Sequence, residues 1–312
     1  MTILHKNTIQ GYLRAGLAAM TVCCTACSER PDRYIEEVDP PSGPELRLSP
    51  VFTRVAGDCF EIGDKVGVFM FYPEADDGET DGGGDGPYID NKEFTCRSGS
   101  GGGLVWDCGE TLRWKDAITP ADFICYHPYS GDAAGKDVLQ CRVMSSQSSS
   151  KALSDSDILW GSRSRVSPTS EYVELMASHR TGQVIIELVP GKGYDNESLL
   201  AAVEGIVLKG AVCSAVLDLR TGELSAAEAE SEDIVPFREG LTCRALIPPQ
   251  IIDTFTICVS VAGMDRSLAT SVEIVPGCRA HCTITVNKVS DGMNIGIDGW
   301  TDADGDFGGI LN

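Results

Sequence analysis

Apolar and polar residues alternate in short runs along most of the chain, and this period of two is typical of half-buried β-strands. The stretch 45–72 shows the pattern first, with Leu46, Leu48 and Val51 in one run and a second run after a Gly-Asp turn. Glycine and aspartate favour tight turns. The stretch therefore predicts two strands, the first of which ends at residues 53–54.

Similar runs fill the second half of the chain, separated by turn-forming residues. The predicted strands there are 205–208, 214–219, 243–247, 255–261, 271–275 and 281–286. One segment, 196–203, has helical spacing, and Asn196 is placed to cap it. Strands at this spacing with so little helix predict an all-β fold of the sandwich type.

The chain has 312 residues, a length that fits two domains. An alternating strand near residue 172 closes the first domain, and a new run begins at His179. We therefore predict an N-terminal β-sandwich domain at 45–178 and a C-terminal one at 179–312. The Pro-rich, acidic segment 27–44 has no periodicity, which is typical of a flexible tether.

Residues 1–26 have the features of a signal peptide, with basic residues followed by a short apolar run. That run is too short to span a bilayer. It ends in small residues before Cys27 and so resembles a lipobox, in which the cysteine becomes the lipidated first residue of the mature chain. Cys24 stands where such motifs usually have leucine. The alternative is an ordinary signal peptide cut near Ala26.

Charge and cysteine content narrow the functional classes. The net charge of −21 argues against a nucleic-acid partner, because binding phosphates requires a basic face. Of the 13 cysteines, ten lie beyond Cys27. Their spacing predicts no disulfide framework, although an oxidising compartment would permit one. Most lie within apolar runs, which favours buried thiols that act as small hydrophobic side chains.

Motifs for catalysis or metal binding are weak throughout. Cys278, His281 and Cys282 have ligand-like spacing, but a structural zinc site needs four ligands. Strand alternation would also send neighbouring residues of this trio to opposite faces. Two Asp-rich stretches, 75–85 and 302–306, lack the closing glutamate of a calcium loop. We expect no metal, no cofactor and no enzymatic activity.

Several short motifs follow one another in order along the chain. They are Phe123-x-x-Tyr126-x-Pro128-Tyr129, Asp157-x-Leu159-Trp160-Gly161, the apolar pair before Pro248-Pro249-Gln250, and Ile295-x-Ile297-x-x-Trp300. With the early strand that ends in Thr-Arg, this order resembles the fimbrillin family. Members of that family are two-domain β-sandwich lipoproteins that build type V pili on the outer membrane of Gram-negative bacteria. The resemblance covers nearly all of the chain beyond Cys27.

The resemblance implies two tandem transthyretin-like β-sandwich domains and a non-enzymatic role as a structural or adhesive pilus subunit. It implies lipid on Cys27 and cleavage by an arginine-specific protease after Arg54, so that Val55 becomes the first residue. Loss of the segment before the cut would remove the first strand. The alternative for Arg54 is a solvated turn residue without a processing role.

The resemblance further implies assembly by donor-strand exchange, in which a strand of one subunit fills a groove of the next. The strand that leaves would carry Leu46, Leu48 and Val51, and the C-terminal tail of another subunit, with Ile295, Ile297 and Trp300, would replace it.

The implied location is the cell surface, reached through the periplasm and held at the outer membrane by the lipid. The implied partners are other pilus subunits, with a host protein or glycan as a further candidate. The alternative function is a surface lipoprotein that binds a glycan or another host ligand without polymerising. Aromatic residues could serve such a glycan site, but their position in apolar strands favours a sandwich core.

Overall fold

The computed structural model describes residues 42–52, 60–73, 86–100, 102–289 and 292–303. The predicted lipidation site Cys27 and the predicted processing site at Arg54 and Val55 lie outside these residues. So do the predicted signal peptide and nearly all of the predicted tether and of the acidic stretch before residue 86.

The described part of the chain is built almost entirely of β-strands, so the predicted all-β class is confirmed. The strands of the first half are β1 (Arg47–Phe52), β2 (Lys65–Phe71), β3 (Ile89–Ser98), β4 (Leu104–Asp107), β5 (Ala121–His127), β6 (Val138–Arg142), β7 (Leu159–Val166) and β8 (Tyr172–His179). Those of the second half are β9 (Gly182–Pro190), β10 (Val203–Ala211), β11 (Ser214–Asp218), β12 (Leu224–Ala226), β13 (Glu232–Ile234), β14 (Phe237–Glu239), β15 (Thr242–Ile247), β16 (Gln250–Val261), β17 (Met264–Ile274), β18 (Arg279–Val289) and β19 (Gly292–Ala303). Each predicted strand of the second half overlaps one of these elements, and two of them, 214–219 and 271–275, extend one residue past the observed strand.

Two short α-helices and a 3-10 turn at Gly131–Ala133 interrupt the strands of the described residues. Helix α2 (Asn196–Ala202) was predicted with Asn196 as its cap, and this assignment was wrong by one residue. Asp195 is the cap, because its extended backbone lets its carboxylate accept the amide of Ser198 at 2.8 Å. Helix α1 (Ser150–Asp155) was not predicted, since its polar residues show no apolar periodicity.

The seven-stranded sheet of the first half has the order β1-β8-β7-β5-β2-β3-β4. The two strands predicted in the stretch 45–72 are present as β1 and β2, but they are not neighbours. β1 pairs with β8 at the end of the sheet, and β2 lies between β5 and β3. The β1–β8 pair is parallel, whereas all other pairs of this sheet are antiparallel.

The second half contributes a four-stranded sheet, β13-β10-β16-β17, and a five-stranded sheet, β14-β15-β9-β18-β19. A small third sheet, β12-β11-β6, joins the halves because β6 precedes residue 178 while β11 and β12 follow it. A sheet shared by both halves neither places nor excludes a domain boundary at residue 178, so that boundary remains a prediction.

Two large apolar clusters lie on either side of β2. Val66, Val68 and Met70 belong to the first-half cluster, whereas Phe69 packs with the second-half cluster. Successive residues of a strand point to opposite faces, so both faces of β2 are buried. Trp160 of β7 also packs with the second-half cluster, so the interior runs continuously from one half to the other.

Candidate strand-exchange site

The segment predicted to leave the subunit contains β1, and its side chains alternate between the core and solvent. Leu46 is 6% exposed and Leu48 3% exposed, and both pack in the first-half cluster. Glu45 and Arg47 alternate with them at the surface and form an ion pair of 3.4 Å. Burial of a leucine side chain contributes about 1.5–3 kcal/mol, so the two leucines help to hold this segment against the core.

The backbone of β1 completes the pairing of β8. Residues 47–52 pair in parallel with residues 172–177. On its other side, β8 pairs with β7 at only two register positions in the described part of the chain, Leu159 with His179 and Trp160 with Ser178. Most of β8 therefore depends on β1 for its ladder hydrogen bonds.

A second backbone contact holds the start of the segment. We call residues 112–116 the strap. The amide of Leu46 donates to the carbonyl of Leu112 at 2.9 Å, and the amide of Trp114 donates to the carbonyl of Pro44 at 3.1 Å. We call the site occupied by residues 43–52 the slot, because the strap bounds its beginning and β8 bounds the rest.

Gly43 lies directly against the backbone of the strap. A Cβ atom at this position would come within 2.4 Å of the carbonyl oxygen of Asp116 and 2.5 Å of that of Trp114. Contacts this short do not occur at real Cβ atoms, and the obstructing atoms belong to the backbone. The slot therefore accepts glycine at this position and excludes every larger residue.

Trp114 anchors the strap in the core. Its side chain is fully buried, and its indole nitrogen donates to the carbonyl of Thr169 at 3.1 Å. Its ring lies edge-on to Phe123 with the two centroids 5.6 Å apart. The interpretation of the strand aromatics as core is confirmed for Trp114, Phe123 and Tyr126, all of which are buried.

The predicted donor segment forms β19, the end strand of the five-stranded sheet. Ile295 pairs in register with Val286, Ile297 with Ile284, and Trp300 with Cys282. The three partner residues on β18 are buried. β19 and β1 belong to different sheets, so a single subunit does not bring the two predicted exchange segments together.

Two further sequence motifs fasten the halves of the molecule. His179 Nδ1 lies 2.9 Å from the Asp157 carboxylate, and both side chains are buried. This confirms the interpretation of His179 as a hydrogen-bonded structural residue, although the sequence did not predict its partner. Trp160 donates its indole proton to the carbonyl of Leu219 at 2.8 Å. A Cβ on Gly222 would come within 2.2 Å of the same indole ring.

Tyr126 of the Phe-x-x-Tyr-x-Pro-Tyr motif is also a buried, hydrogen-bonded structural residue. The Tyr126 hydroxyl lies 2.7 Å from the side-chain oxygen of Asn91 and 2.9 Å from the carbonyl of Ser130. Burial raises the pKa of the Tyr126 phenol well above its ordinary value. Asn91 has a φ of +47°, a conformation that asparagine tolerates better than most residues.

Comparison with known proteins identifies the family. Residues 53–300 match the profile of the fimbrillin-like family. The chain belongs to the fimbrillin-like family. The predicted resemblance is thereby confirmed, and the matched region begins directly after β1.

Among relatives of this fimbrillin-like chain is a candidate fimbrium subunit, Fim1C, from Bacteroides uniformis. It is 21% identical over 263 residues, which are 81% of this chain and 82% of the relative. A crystal structure of a candidate cell adhesion protein from Bacteroides ovatus has a TM-score of 0.64 at 16% identity and covers 84% of this chain and 98% of its own. One from Bacteroides uniformis has a TM-score of 0.60 at 19% identity and covers 82% and 98%. The two structures share the fold.

A partly exposed aromatic pair that the sequence did not predict lies on the first half of this fimbrillin-like chain. Tyr72 and Tyr88 meet edge to face with ring centroids 5.1 Å apart, and Tyr88 is 41% exposed. The Tyr72 hydroxyl accepts the amide of Lys115 at 2.6 Å, and the Lys115 ammonium lies 5.8 Å from the Tyr72 ring centroid. Partial burial raises the pKa of Tyr72 to about 12. Tyr72 directly follows β2, and such a position carries no periodic signal.

The remaining reactive groups are the cysteine thiols and the trio Cys278, His281 and Cys282. The nine cysteines in the described part of the chain carry free thiols, and five of them are buried. Burial raises the pKa of Cys125 and of Cys282 to about 12. Cys282 is buried while His281 lies on the other face near Glu187, and no group of three potential ligands is placed to hold a metal among the described residues. Nor is any described helix long and apolar enough to cross a bilayer.

Proposed function

We propose that this fimbrillin-like protein is a non-enzymatic structural or adhesive subunit of a cell-surface pilus and that subunits join by strand exchange. The observation that carries the proposal is the position of β1. It ends a sheet, follows the buried Leu46, itself buries Leu48, and supplies most of the ladder pairing of β8. A strand with these properties can be replaced by a strand of another chain in the manner of β-strand addition.

Departure of β1 would leave two features that an incoming strand can repair. The backbone of residues 172–177 would lose its partner, and such open edges readily pair with other chains. The space of the two leucine side chains would also be empty beside Val173 and Leu175. An incoming strand with apolar residues at alternate positions restores both contacts.

The proposal includes the route to the surface. Lipid on Cys27 would hold the exported chain at the outer membrane after passage through the periplasm. Cleavage between Arg54 and Val55 would separate β1 from the rest, because the cut lies between the end of β1 at Phe52 and the start of β2 at Lys65. The subunit that remains would carry a vacant slot.

The mass of the intact protein tests this route, measured separately in the membrane fraction and in appendages sheared from cells. We expect an unlipidated chain that begins at Val55 in the sheared fraction. Arg54→Ala should remove that species, whereas the control Arg97→Ala should retain it. A lipidated chain that begins at Cys27 and occurs only in membranes would overturn the processing step.

The second candidate function is the binding of a glycan by a surface lipoprotein that does not polymerise. The exposed Tyr72–Tyr88 pair favours it, because aromatic rings offer an apolar face beside the polar groups of Lys115. Binding to immobilised glycans should fall in Tyr88→Ala. It should persist in Tyr172→Ala, which removes a more exposed tyrosine elsewhere. Equal loss of glycan binding in both variants, or no glycan binding by the unmodified protein, would reject this function.

A further inference from the structure

A small cleft lies in the second half of the chain, where the turn before β18 meets the start of β9. The residues that line it include Gln183, Glu273, Cys278 and Arg279. The cleft encloses about 250 Å³, part of which is open solvent. Sites for drug-sized ligands enclose roughly 300–1,000 Å³, so an occupant of this cleft has to be a small molecule.

The buried amide of Gln183 sets the chemistry of the cleft. Gln183 is only 2% exposed, and its Nε2 has no hydrogen-bond partner among the described residues. Buried side-chain amides nearly always have partners, because a donor that loses its hydration without a new acceptor is unfavourable. The cleft therefore favours an occupant that brings a hydrogen-bond acceptor to this nitrogen.

A hydrogen-bonded turn places Cys278 at the same cleft. The Cys278 amide donates to the carbonyl of Val275 at 3.2 Å, and Gly277 has a φ of +67°, which the third position of such a turn requires. The Cys278 carbonyl accepts the backbone amide of Gln183 at 2.9 Å, which anchors the two residues to each other. Cys278 is half-buried, so a small reagent can reach its thiol.

Two side chains of opposite charge also line the cleft. The guanidinium of Arg279 suits a carboxylate, and the Gln183 amide can donate a further hydrogen bond to the same group. The exposed carboxylate of Glu273 suits an ammonium group. A carboxylate and an ammonium on one small molecule are the two charged groups of a free amino acid.

We infer that Cys278 is a modification site that forms a mixed disulfide with a small amino-acid thiol of the cysteine type. The carboxylate of the modifier accepts a hydrogen bond from Gln183 and faces Arg279, while its ammonium faces Glu273. The inference goes beyond the pilus role proposed above and uses none of the contacts of β1 or β19.

The modification is a thiol–disulfide exchange with the disulfide of the amino-acid thiol. The Cys278 thiol gives its proton to solvent, and its sulfur attacks one sulfur of that disulfide. The S–S bond of the reagent breaks and a new S–S bond joins Cys278 to one half of it. The other half leaves as a thiolate and takes up a proton. Cys278 is oxidised as the reagent is reduced, so no further oxidant is needed.

Reaction of the purified full-length chain with L-cystine tests the site. Peptide mass spectrometry should find the half-cystine adduct on Cys278, and Cys278→Ser should lack it. The control Cys258→Ser removes another half-buried thiol, which does not line the cleft, and should keep the adduct.

A neutral reagent, the disulfide of mercaptoethanol, measures the accessibility of the thiol alone. Each rate is divided by the rate of the same reagent with Cys278 in the urea-unfolded chain, which removes the reagents' own reactivity. We expect the normalised rate with cystine to be about tenfold higher than that with the neutral reagent, because only cystine offers charged groups to the cleft.

Variants of the lining test the recognition. Gln183→Leu removes the amide at similar volume and should lower the normalised cystine rate about tenfold, while the rate with the neutral reagent stays the same. Glu273→Gln should also lower the cystine rate, but not the rate with the disulfide of thioglycolate, which has a carboxylate and no ammonium. Glu187→Gln removes a glutamate of β9 that does not line the cleft and should leave all three rates unchanged.

The outcomes decide the inference without reference to pili. Equal normalised rates for cystine and the neutral disulfide would overturn it, because water would then satisfy the Gln183 amide. An adduct found only on other cysteines, or an equal loss in Glu187→Gln and Glu273→Gln, would also overturn it. If Gln183→Leu does not fold, Glu273→Gln decides, since Glu273 is exposed. Failure of the pilus proposal would leave the Cys278 site standing.

Discussion

The two end strands β1 and β19 are attached to the molecule in different ways. β19 follows β18 directly and pairs antiparallel to it, so its partner is its neighbour in sequence. β1 pairs in parallel with β8, more than a hundred residues later in the chain, and touches the strap at its beginning. Parallel pairing requires a long connection, so β1 is held by contacts across the fold and not by a hairpin. In the strand exchange proposed above, departure of β1 would break contacts across the fold and would not open a hairpin.

The largest expected effect concerns the anchor of the strap. Trp114→Ala empties a fully buried site and loses the hydrogen bond to Thr169. We expect a loss of about 3–5 kcal/mol in the free energy of unfolding, measured by urea titration. Trp106→Ala, at a half-buried position of β4, is the control and should lose less. Equal losses of unfolding free energy in Trp114→Ala and Trp106→Ala would mean that the strap does not depend on Trp114.

A smaller loss in the free energy of unfolding is expected at Gly43, where the slot meets the strap. Gly43→Val forces a side chain against the backbone of the strap and should cost about 1–3 kcal/mol. Gly205→Val in β10 is the control, because a Cβ there meets nothing within 4 Å. If the two variants unfold at the same urea concentration, the beginning of β1 does not need glycine.

Thiol labelling compares the two ends of the molecule directly. Burial raises the pKa of Cys282 on β18 and of Cys125 on β5 to about 12, so little reactive thiolate forms at neutral pH. Both thiols should resist alkylation in the folded monomer, and their reactivity should rise as the pH approaches 12. If β19 is donated in pili, Cys282 loses one of its two neighbouring strands and should label several times faster there, while Cys125 should not. Identical labelling of Cys282 in monomer and pili would mean that β19 stays in place.

The smallest effect is expected at the surface of β1. Arg47 and Glu45 form a solvent-exposed ion pair with a nitrogen–oxygen distance of 3.4 Å. Exposed ion pairs contribute little to stability. Arg47→Ala should leave the midpoint of thermal unfolding unchanged. A clear fall in the midpoint would show that β1 is held by its charged face as well as by its leucines.

The alternation of apolar residues predicted which elements form, but not which elements meet. The run that contains Leu46 and Leu48 predicted a short first strand, which needs only local sequence, and both leucines are buried in the structure. The parallel partner β8 and the strap were not predicted, since both lie far from β1 in the chain. The role of Gly43 depends on a close approach between distant backbones, which no local pattern encodes.

The motifs that indicated the family turned out to have structural explanations. Trp160 and Asp157 were noted for their order in the sequence, and the structure gives them partners at Leu219 and His179. The partners could not be predicted, because a buried tryptophan or aspartate bonds with whatever group the fold brings to it. The order of the motifs along the chain was sufficient to indicate the family, whereas their contacts could be identified only from the folded structure.

The sheet that joins β6 to β11 has a mechanical consequence. A pilus subunit is pulled from both ends when a cell is dragged across a surface. In the strand exchange proposed above, tension between the slot and β19 would be borne by packed interior and paired backbone, because β6 and β11 pair across the middle and Trp160 packs into the second-half cluster. Such a subunit would not stretch at a loose joint between its halves. Its compliance would reside at the contacts between successive subunits, which are then the places where a loaded fibre yields.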